Sequence, residues 1–257
     1  MKIEQVAVQL YTLRDFLTTP EDYQESLQKV AEIGYKSVQV SGPRPIDESD
    51  IAALCAEKGL IINSSHEDSE LILSDPAKVV ENLEAFGCRY TAYPFPRGID
   101  FSSSESVNRL ITGLEEAGKV LSRAGKVLTY HNHAMELELL DGVPILEIIY
   151  GETDPKFLQG EIDTYWIHAG KSSPEAWCAR LRDRLPLLHL KDYREDEDGT
   201  AHFAEIGNGI LDFRTIIATA EASGCQWFIV EQDRCPGDPF DSLEMSFRYI
   251  RDNLVES

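Results

Sequence analysis

The 257-residue sequence has few cysteines and no apolar run long enough to cross a membrane. Apolar stretches stay well short of about 18 residues, and the opening segment MKIEQVAVQLYTLRD lacks the continuous apolar region of an export signal. The five cysteines form an odd set without a CxxC pair, which favours free thiols in a reducing compartment. We therefore expect a cytoplasmic protein that does not bind membranes.

Positive charge is also scarce. The chain has 24 Lys and Arg against 45 Asp and Glu, a formal net charge of −21, so most of its surface repels phosphate backbones and nucleic-acid binding is not expected. With 42% hydrophobic residues the chain has enough apolar side chains for a substantial core, and its length suits one domain spanning residues 1–257.

A repeated pattern runs through the sequence, in which a helix-like segment is followed by one glycine and then by an aliphatic or aromatic run. Each glycine suits the left-handed residue just past a helix end, and each following run is typical of a buried strand. Successive copies begin 25, 28 and 38 residues apart over the first four glycines, about the length of a βα unit. The five glycines are Gly34, Gly59, Gly87, Gly125 and Gly224.

The pattern predicts eight strands with helices between them. They are expected near residues 6–10, 37–40, 60–64, 90–93, 127–131, 158–162, 187–190 and 228–230, with the longest helix at 104–124 and the last at 241–253. Helix starts are indicated by Thr19, Asp75 and Ser173, each of which precedes a proline. Buried parallel strands covered by helices predict an α/β fold, a (β/α)₈ barrel. An open doubly wound sheet is the alternative, but no GxGxxG follows the first strand.

Three residues that end successive strands are candidate metal ligands. Asp163, His189 and Glu231 should meet at the carboxyl end of the barrel, although they are far apart in the chain. Two carboxylates and an imidazole suit one divalent ion such as Mn²⁺, Mg²⁺, Co²⁺ or Zn²⁺. Taken singly, each residue could instead form a salt bridge or cap a helix.

The segment Tyr-His-Asn-His at 130–133 supplies two further imidazoles. His131 and His133 have the same strand parity, so either could bind the metal or carry a proton. Glu136 lies just beyond and could fold back as a fourth ligand. Lys191 shares the parity of His189 and could stabilise an enolate oxygen, or it could be a surface lysine paired with Asp192.

Several other polar or aromatic side chains follow strands and are expected to shape a substrate pocket. His66 could contact substrate or cap a helix, and a tryptophan beside a histidine after strand six suits a sugar ring, although ordinary packing is an alternative. The candidate substrate-binding residues are Gln9, Gln39, His66, Trp166 and His168.

The segments VAVQLYTLRD, YHNHAMELE, EIDTYW, LLHLKDY, EIGNGILDF and WFIVEQD resemble, in this order, the xylose-isomerase-like sugar phosphate isomerase/epimerase superfamily. The resemblance implies one divalent ion held by Glu, Asp, His and Glu at the ends of the later strands. Asp163, His189 and Glu231 match the last three. His131 stands where epimerases have the first Glu, so Glu136 becomes the expected fourth ligand, with His131 or His133 as substitutes.

The resemblance implies an isomerase or epimerase of a small sugar, keto-sugar or cyclitol. In such epimerases two metal-bound glutamates exchange a proton on either face of an enediolate. Here Glu231 is expected to be a ligand and base, His133 or His131 the second proton carrier, and Lys191 the partner of the oxyanion. A lyase or dehydratase acting on a keto-sugar is the second hypothesis, and a non-catalytic sugar-binding barrel is the third. A homo-oligomer is possible for each of them.

Overall fold

The computed structural model describes residues 1–255 and shows a closed barrel of eight parallel strands. The predicted fold is confirmed, and each strand lies within two residues of its expected position. The strands are β1 Val6–Gln9, β2 Ser37–Val40, β3 Ile61–His66, β4 Tyr90–Tyr93, β5 Val127–His131, β6 Gln159–Asp163, β7 Leu187–Leu190 and β8 Trp227–Val230.

Helices cover the outside of the barrel, and the longest and the last occur where the sequence predicts them. They are α1 Pro20–Ile33, α2 Glu48–Glu57, α3 Ser69–Ser74, α4 Pro76–Phe86, α5 Ser104–Arg123, α6 Ile145–Gly151, α7 Thr164–Ala169, α8 Pro174–Arg180, α9 Phe213–Ala222 and α10 Pro239–Asn253. Short 3-10 helices occupy Ile3–Gln5, Leu10–Phe16 and Met135–Leu137. No helix in the described part of the chain is both long and apolar enough to cross a bilayer.

The helix ends follow the sequence signals. The side chains of Thr19, Asp75 and Ser173 accept hydrogen bonds from the backbone N–H groups three residues further on, which satisfies donors at the start of each helix. The five repeated glycines all have positive φ, from 70° to 122°. Each turn therefore reverses the chain into the next buried strand, as the repeated pattern predicts.

The barrel closes where β8 pairs with β1, with Val6 beside Phe228 and Val8 beside Val230. Neighbouring strands are consecutive in the sequence around the whole ring. Two small antiparallel hairpins lie outside the barrel order. One joins Leu139–Leu140 to Val143–Pro144, and the other joins Asp192–Glu195 to Ala201–Ala204 directly after β7.

Helix α5 packs so closely on the segment before β6 that one of its positions requires glycine. A Cβ atom on Gly118 would lie 2.0 Å from the carbonyl oxygen of Phe157, which is backbone and cannot rotate away. A Cβ atom on Gly113 of the same helix would lie 3.0 Å from the end of the flexible Leu73 side chain. The two glycines therefore differ in the cost of an added methyl group.

We expect Gly118→Ala to lower the free energy of unfolding by about 2 kcal/mol, because the clash outweighs the roughly 1 kcal/mol gain in helix propensity. Gly113→Ala, the matched control, should leave stability unchanged or raise it. Urea denaturation of both variants measures the difference. A Gly118→Ala variant as stable as the parent would contradict this packing.

Candidate active site

A cavity of about 1270 Å³ opens at the carboxyl ends of the strands. Its floor is polar and includes His66, His131, Lys191, Glu231 and Asp233. Its walls carry the aromatic rings of Tyr11, Phe95, His133, Trp166 and Phe203. This division suits a ligand with hydroxyl or carbonyl groups at one end and a ring face against the walls.

Four buried side chains in the floor could hold a metal ion. His131, Asp163, His189 and Glu231 each offer one ligand atom, and these atoms all lie within 4.8 Å of one another. Asp163 Oδ2 is 3.4 Å from His131 Nε2 and 3.8 Å from His189 Nδ1, and His189 Nδ1 is 3.0 Å from Glu231 Oε2. The structure thus brings together the three ligands predicted at strand ends and adds His131 from β5.

Some of the candidate ligand atoms in this group are not satisfied by hydrogen bonds. Both ring nitrogens of His131 are buried and have no hydrogen-bond partner among the described residues, and buried Oδ2 of Asp163 has an ion pair with Lys191 but no hydrogen bond of good geometry. Such atoms are costly in a protein interior unless something else binds them. Burial lowers the pKa of His131 to about 3, so the imidazole is in the neutral form that binds metals. Two nitrogens and two carboxylate oxygens fit a divalent ion.

His189 is held from its other side by a carboxylate that sequence reasoning missed. His189 Nε2 lies 2.9 Å from Glu161 Oε1 and 2.7 Å from Gln39 Oε1. A proton on Nε2 can bond to these oxygens, so a divalent ion that replaced the proton on Nδ1 would be bound by a ring already oriented from its other side. Glu161 precedes Asp163 by two residues on β6, so strand parity was the signal that could have identified it.

His66, Glu161 and His189 form a second, overlapping group of possible ligands. Its atoms already bond to one another, since His66 Nε2 lies 2.5 Å from Glu161 Oε1. Burial would raise the pKa of Glu161, but the adjacent His66 and His189 outweigh it and hold that pKa below the usual range. This group therefore supports His189, and the first group is the better candidate for a metal site.

Gln9 and Gln39 lie beneath the cavity and do not line it. Gln9 Nε2 donates to Gln39 Oε1 at 2.6 Å and lies 3.2 Å from His66 Nδ1. Gln39 Nε2 donates to Glu161 Oε2 at 2.9 Å. The expected substrate contacts of both glutamines are therefore replaced by a role in orienting His66, Glu161 and His189.

Lys191 is fully buried among three carboxylates. Its Nζ lies 2.7 Å from Glu231 Oε2 and 3.0 Å from both Asp163 Oδ2 and Asp233 Oδ2. Burial alone would lower its pKa, but these carboxylates raise the pKa well above the usual value, so the ammonium is charged. The alternative of a surface lysine paired with Asp192 is wrong.

Asp192 instead fastens the loop that contains Gly207 and Gly209. Its Oδ2 accepts hydrogen bonds from the backbone N–H groups of both glycines, at 3.0 Å and 2.9 Å, and its Oδ1 accepts from Leu211 N at 3.2 Å. Lys191 therefore contributes its charge to the cavity, whereas the next residue, Asp192, holds the adjacent loop.

The structure does not bring Glu136 into the metal group. Its carboxylate accepts hydrogen bonds from Tyr130 Oη at 3.0 Å and from His133 N at 2.8 Å. His131, not Glu136, offers the ligand atom from this part of the chain. His133 lines the cavity, with its ring centre 5.1 Å from that of Phe95 and 5.5 Å from that of Trp166.

Trp166 and His168 differ in position. Trp166 lines the cavity as expected, and its backbone N–H donates to Asp163 Oδ1 at 2.9 Å. His168 does not line the cavity, because its ring packs edge-on against Tyr193 at 4.6 Å. The expected contact of His168 with substrate is therefore not supported by its packing.

Comparison with known proteins agrees with this architecture. A family model described as the xylose isomerase-like TIM barrel matches residues 27–253. The chain belongs to this family. The resemblance recognised in the sequence is therefore confirmed.

Curated relatives and solved structures similar to this xylose isomerase-like barrel were found. The chain is 25% identical to inosose dehydratase of Geobacillus kaustophilus (strain HTA426), over 89% of this chain and 86% of that protein. It is 28% identical to inosose dehydratase of Lacticaseibacillus casei over 55% of this chain, a match that spans about half (53%) of the relative. A solved structure of a sugar phosphate isomerase/epimerase from Parabacteroides distasonis ATCC 8503 has a TM-score of 0.83 and 22% identity, covering 99% and 96% of the two chains.

Replacement of Glu161 by Gln tests the support of His189. Because the glutamine amide cannot supply the carboxylate that orients the imidazole, we expect Mn²⁺ affinity to fall about 10- to 100-fold in a calorimetric titration. Glu138→Gln is the matched control, since Glu138 is exposed on the cavity wall and loses the same charge.

Unchanged Mn²⁺ affinity in Glu161→Gln would contradict the orienting role. Complete loss of binding in Glu161→Gln, with binding retained in Asp163→Asn, would assign the ion to the group of His66, Glu161 and His189.

Proposed function

We propose that this barrel is a divalent-metal-dependent lyase that removes a proton next to the carbonyl of a keto-sugar or keto-cyclitol and eliminates water or an alcohol. The observation that carries the proposal is the asymmetry of the site. Glu231 is a carboxylate at the cavity floor, whereas the position from which an epimerase would present its other glutamate holds the imidazole of His131. One base facing imidazoles suits elimination, which needs a base and an acid in different roles.

Glu231 is the proposed base. Its Oε2 contacts Lys191 and His189, while Oε1 accepts no hydrogen bond from residues 1–255. Burial would raise its pKa, but Lys191 and His189 outweigh that effect and hold the pKa well below the usual value, so the carboxylate is ionised and can accept a proton. The side chain lines the cavity, where the substrate carbon would lie.

His133 is the proposed acid. It follows β5 on the cavity wall, and its Nδ1 lies 3.9 Å from Glu136 Oε1. The same carboxylate fixes the segment by accepting the His133 backbone N–H at 2.8 Å, which holds the ring at the cavity wall. A protonated His133 can donate to the oxygen that leaves the β-carbon.

The metal ligands in this proposal are His131, Asp163, His189 and Glu231. A divalent ion bound by them would polarise the substrate carbonyl. The Lys191 ammonium, which reaches the cavity from the same floor, places a second positive charge beside the developing enolate oxygen. Trp166 and Phe203 supply ring faces against which a sugar can stack.

The relatives named inosose dehydratases support elimination from a keto-cyclitol. Epimerisation is the second candidate, because His133 follows β5 and Glu231 follows β8, so the two groups face the cavity from different walls. In that reaction His133 would return a proton to the opposite face of the same carbon.

We expect Glu231→Gln to lower kcat by about 10²- to 10⁴-fold, because the amide cannot accept the proton. The assay uses a panel of keto-sugars and inososes in deuterated water, with ultraviolet absorbance reporting an unsaturated product and NMR reporting α-proton exchange. Glu138→Gln should retain full activity. Turnover that survives in Glu231→Gln would refute the role, and sugar binding without exchange or product in the parent would favour a binding barrel.

His133→Gln separates elimination from epimerisation. If His133 protonates the leaving group, the variant should lose at least about tenfold of the elimination rate while Glu231 continues to exchange the α-proton. The ratio of exchange to product, measured by NMR in one reaction, would then rise. An equal fall in both rates would contradict the assignment of His133 as the acid of elimination.

A further inference from the structure

The cavity is larger than a single sugar ring requires. Its volume of about 1270 Å³ exceeds the usual 300–1,000 Å³ of small-molecule sites, and the metal group occupies only the floor. The outer part is lined by four basic side chains, which are Arg14, Arg97, Lys171 and Arg234.

These cations have no carboxylate partners. Within residues 1–255, none of the four forms a salt bridge with an Asp or Glu carboxylate, although the chain carries a net charge of −21. Of the three acidic residues on the lining, Glu231 and Asp233 already pair with Lys191, and Glu138 is exposed. A concave surface with unpaired cations concentrates positive potential and attracts anions.

Arg14 is held in place by neutral acceptors. Its Nη1 donates to Tyr11 O at 3.0 Å, its Nη2 donates to Asp233 O at 2.9 Å, and the guanidinium lies 4.7 Å from the centre of the Tyr11 ring. Carbonyl oxygens and an aromatic face orient the half-buried guanidinium without cancelling its charge. Its bond to Asp233 also brings it next to the segment that carries Arg234.

The two arginines belong to neighbouring strands, since Arg14 follows β1, Arg234 follows β8, and Val8 pairs with Val230. Lys171 reaches the cavity from the segment after α7, where its φ of 61° is a conformation that costs free energy for a residue with a side chain. Strain of this kind is concentrated at functional sites.

We propose that the outer cavity is a subsite for an anionic group, a phosphate or a carboxylate, on the substrate, with Arg14 and Arg234 as its principal contacts. The inference rests on the proposed function only in taking the rest of the substrate to be a sugar or cyclitol. Guanidinium groups bind both anions through paired N–H donors. The net charge of −21 disfavours anion binding to most of the remaining surface.

The test measures binding first, without turnover. The Mn²⁺-loaded protein is titrated calorimetrically at low salt with glucose, glucose 6-phosphate and glucuronate. We expect at least one of the two anionic sugars to bind about tenfold or more tightly than glucose, and this advantage should shrink as NaCl is added. The anionic sugar that binds more tightly shows whether the subsite prefers a phosphate or a carboxylate.

Arg234→Gln is the main variant, because its exposed side chain makes no hydrogen bond that the fold needs. It should remove most of the anionic advantage and leave glucose binding unchanged, as should Arg14→Gln. Arg89→Gln, at an exposed position before β4 at the other end of the barrel, loses the same charge and should behave like the parent. Equal affinity for all three sugars, or an advantage that Arg234→Gln and Arg14→Gln leave intact, would overturn the subsite.

The outcome is independent of the lyase assay. An anionic advantage lost in Arg234→Gln, in a protein that forms no product from keto-sugars, would retain the subsite and reject the lyase. Turnover of neutral keto-sugars without any anionic advantage would retain the lyase and reject the subsite.

Discussion

Closure of the barrel between β1 and β8 is the constraint on which the site depends. Because the strands are parallel and consecutive, their carboxyl ends meet in one ring, and residues of matching parity point into the same volume. Asp163, His189 and Glu231 lie 26 and 42 residues apart in the chain, yet their ligand atoms come within 4.8 Å of each other. An open sheet with the same local elements would leave the first and last strands apart, and Arg14 could not bond to the segment after β8.

Charge balance explains how so many ionisable groups remain buried together. Glu161, Asp163 and Glu231 are each held in the charged form by adjacent cations, and the pKa of Asp163 is about 2 because Lys191 outweighs the effect of burial. Burial would lower the pKa of His189, but Glu161 and Glu231 raise it to about 10. Loss of one member would leave a remaining charge unpaired in a poor solvent and would lower the stability of the protein.

The sequence alone predicted the barrel and the convergence of three strand-end residues, because both follow from glycine spacing and strand parity. It did not predict the support beneath them. Gln9 and Gln39 are polar residues near strand ends, as substrate-binding residues are. Only their position below the cavity shows that they orient other side chains. Glu136 is of a residue type that binds metals, but its carboxylate bonds to Tyr130 Oη and to the His133 backbone N–H instead. The positions of these two donors cannot be inferred from residue spacing in the sequence.

Asp192 illustrates how a single carboxylate can separate two tasks. It accepts hydrogen bonds from the N–H groups of Gly207, Gly209 and Leu211 and so holds the connection between β7 and α9 against the end of β7. The neighbouring Lys191 takes no part in these hydrogen bonds. A Cβ atom on Gly209 would lie 2.2 Å from Asp192 Oδ1, so a residue with a side chain does not fit at this position. Because Phe203 of the same connection lines the cavity, the anchoring of this loop by Asp192 also determines where one aromatic wall of the cavity lies.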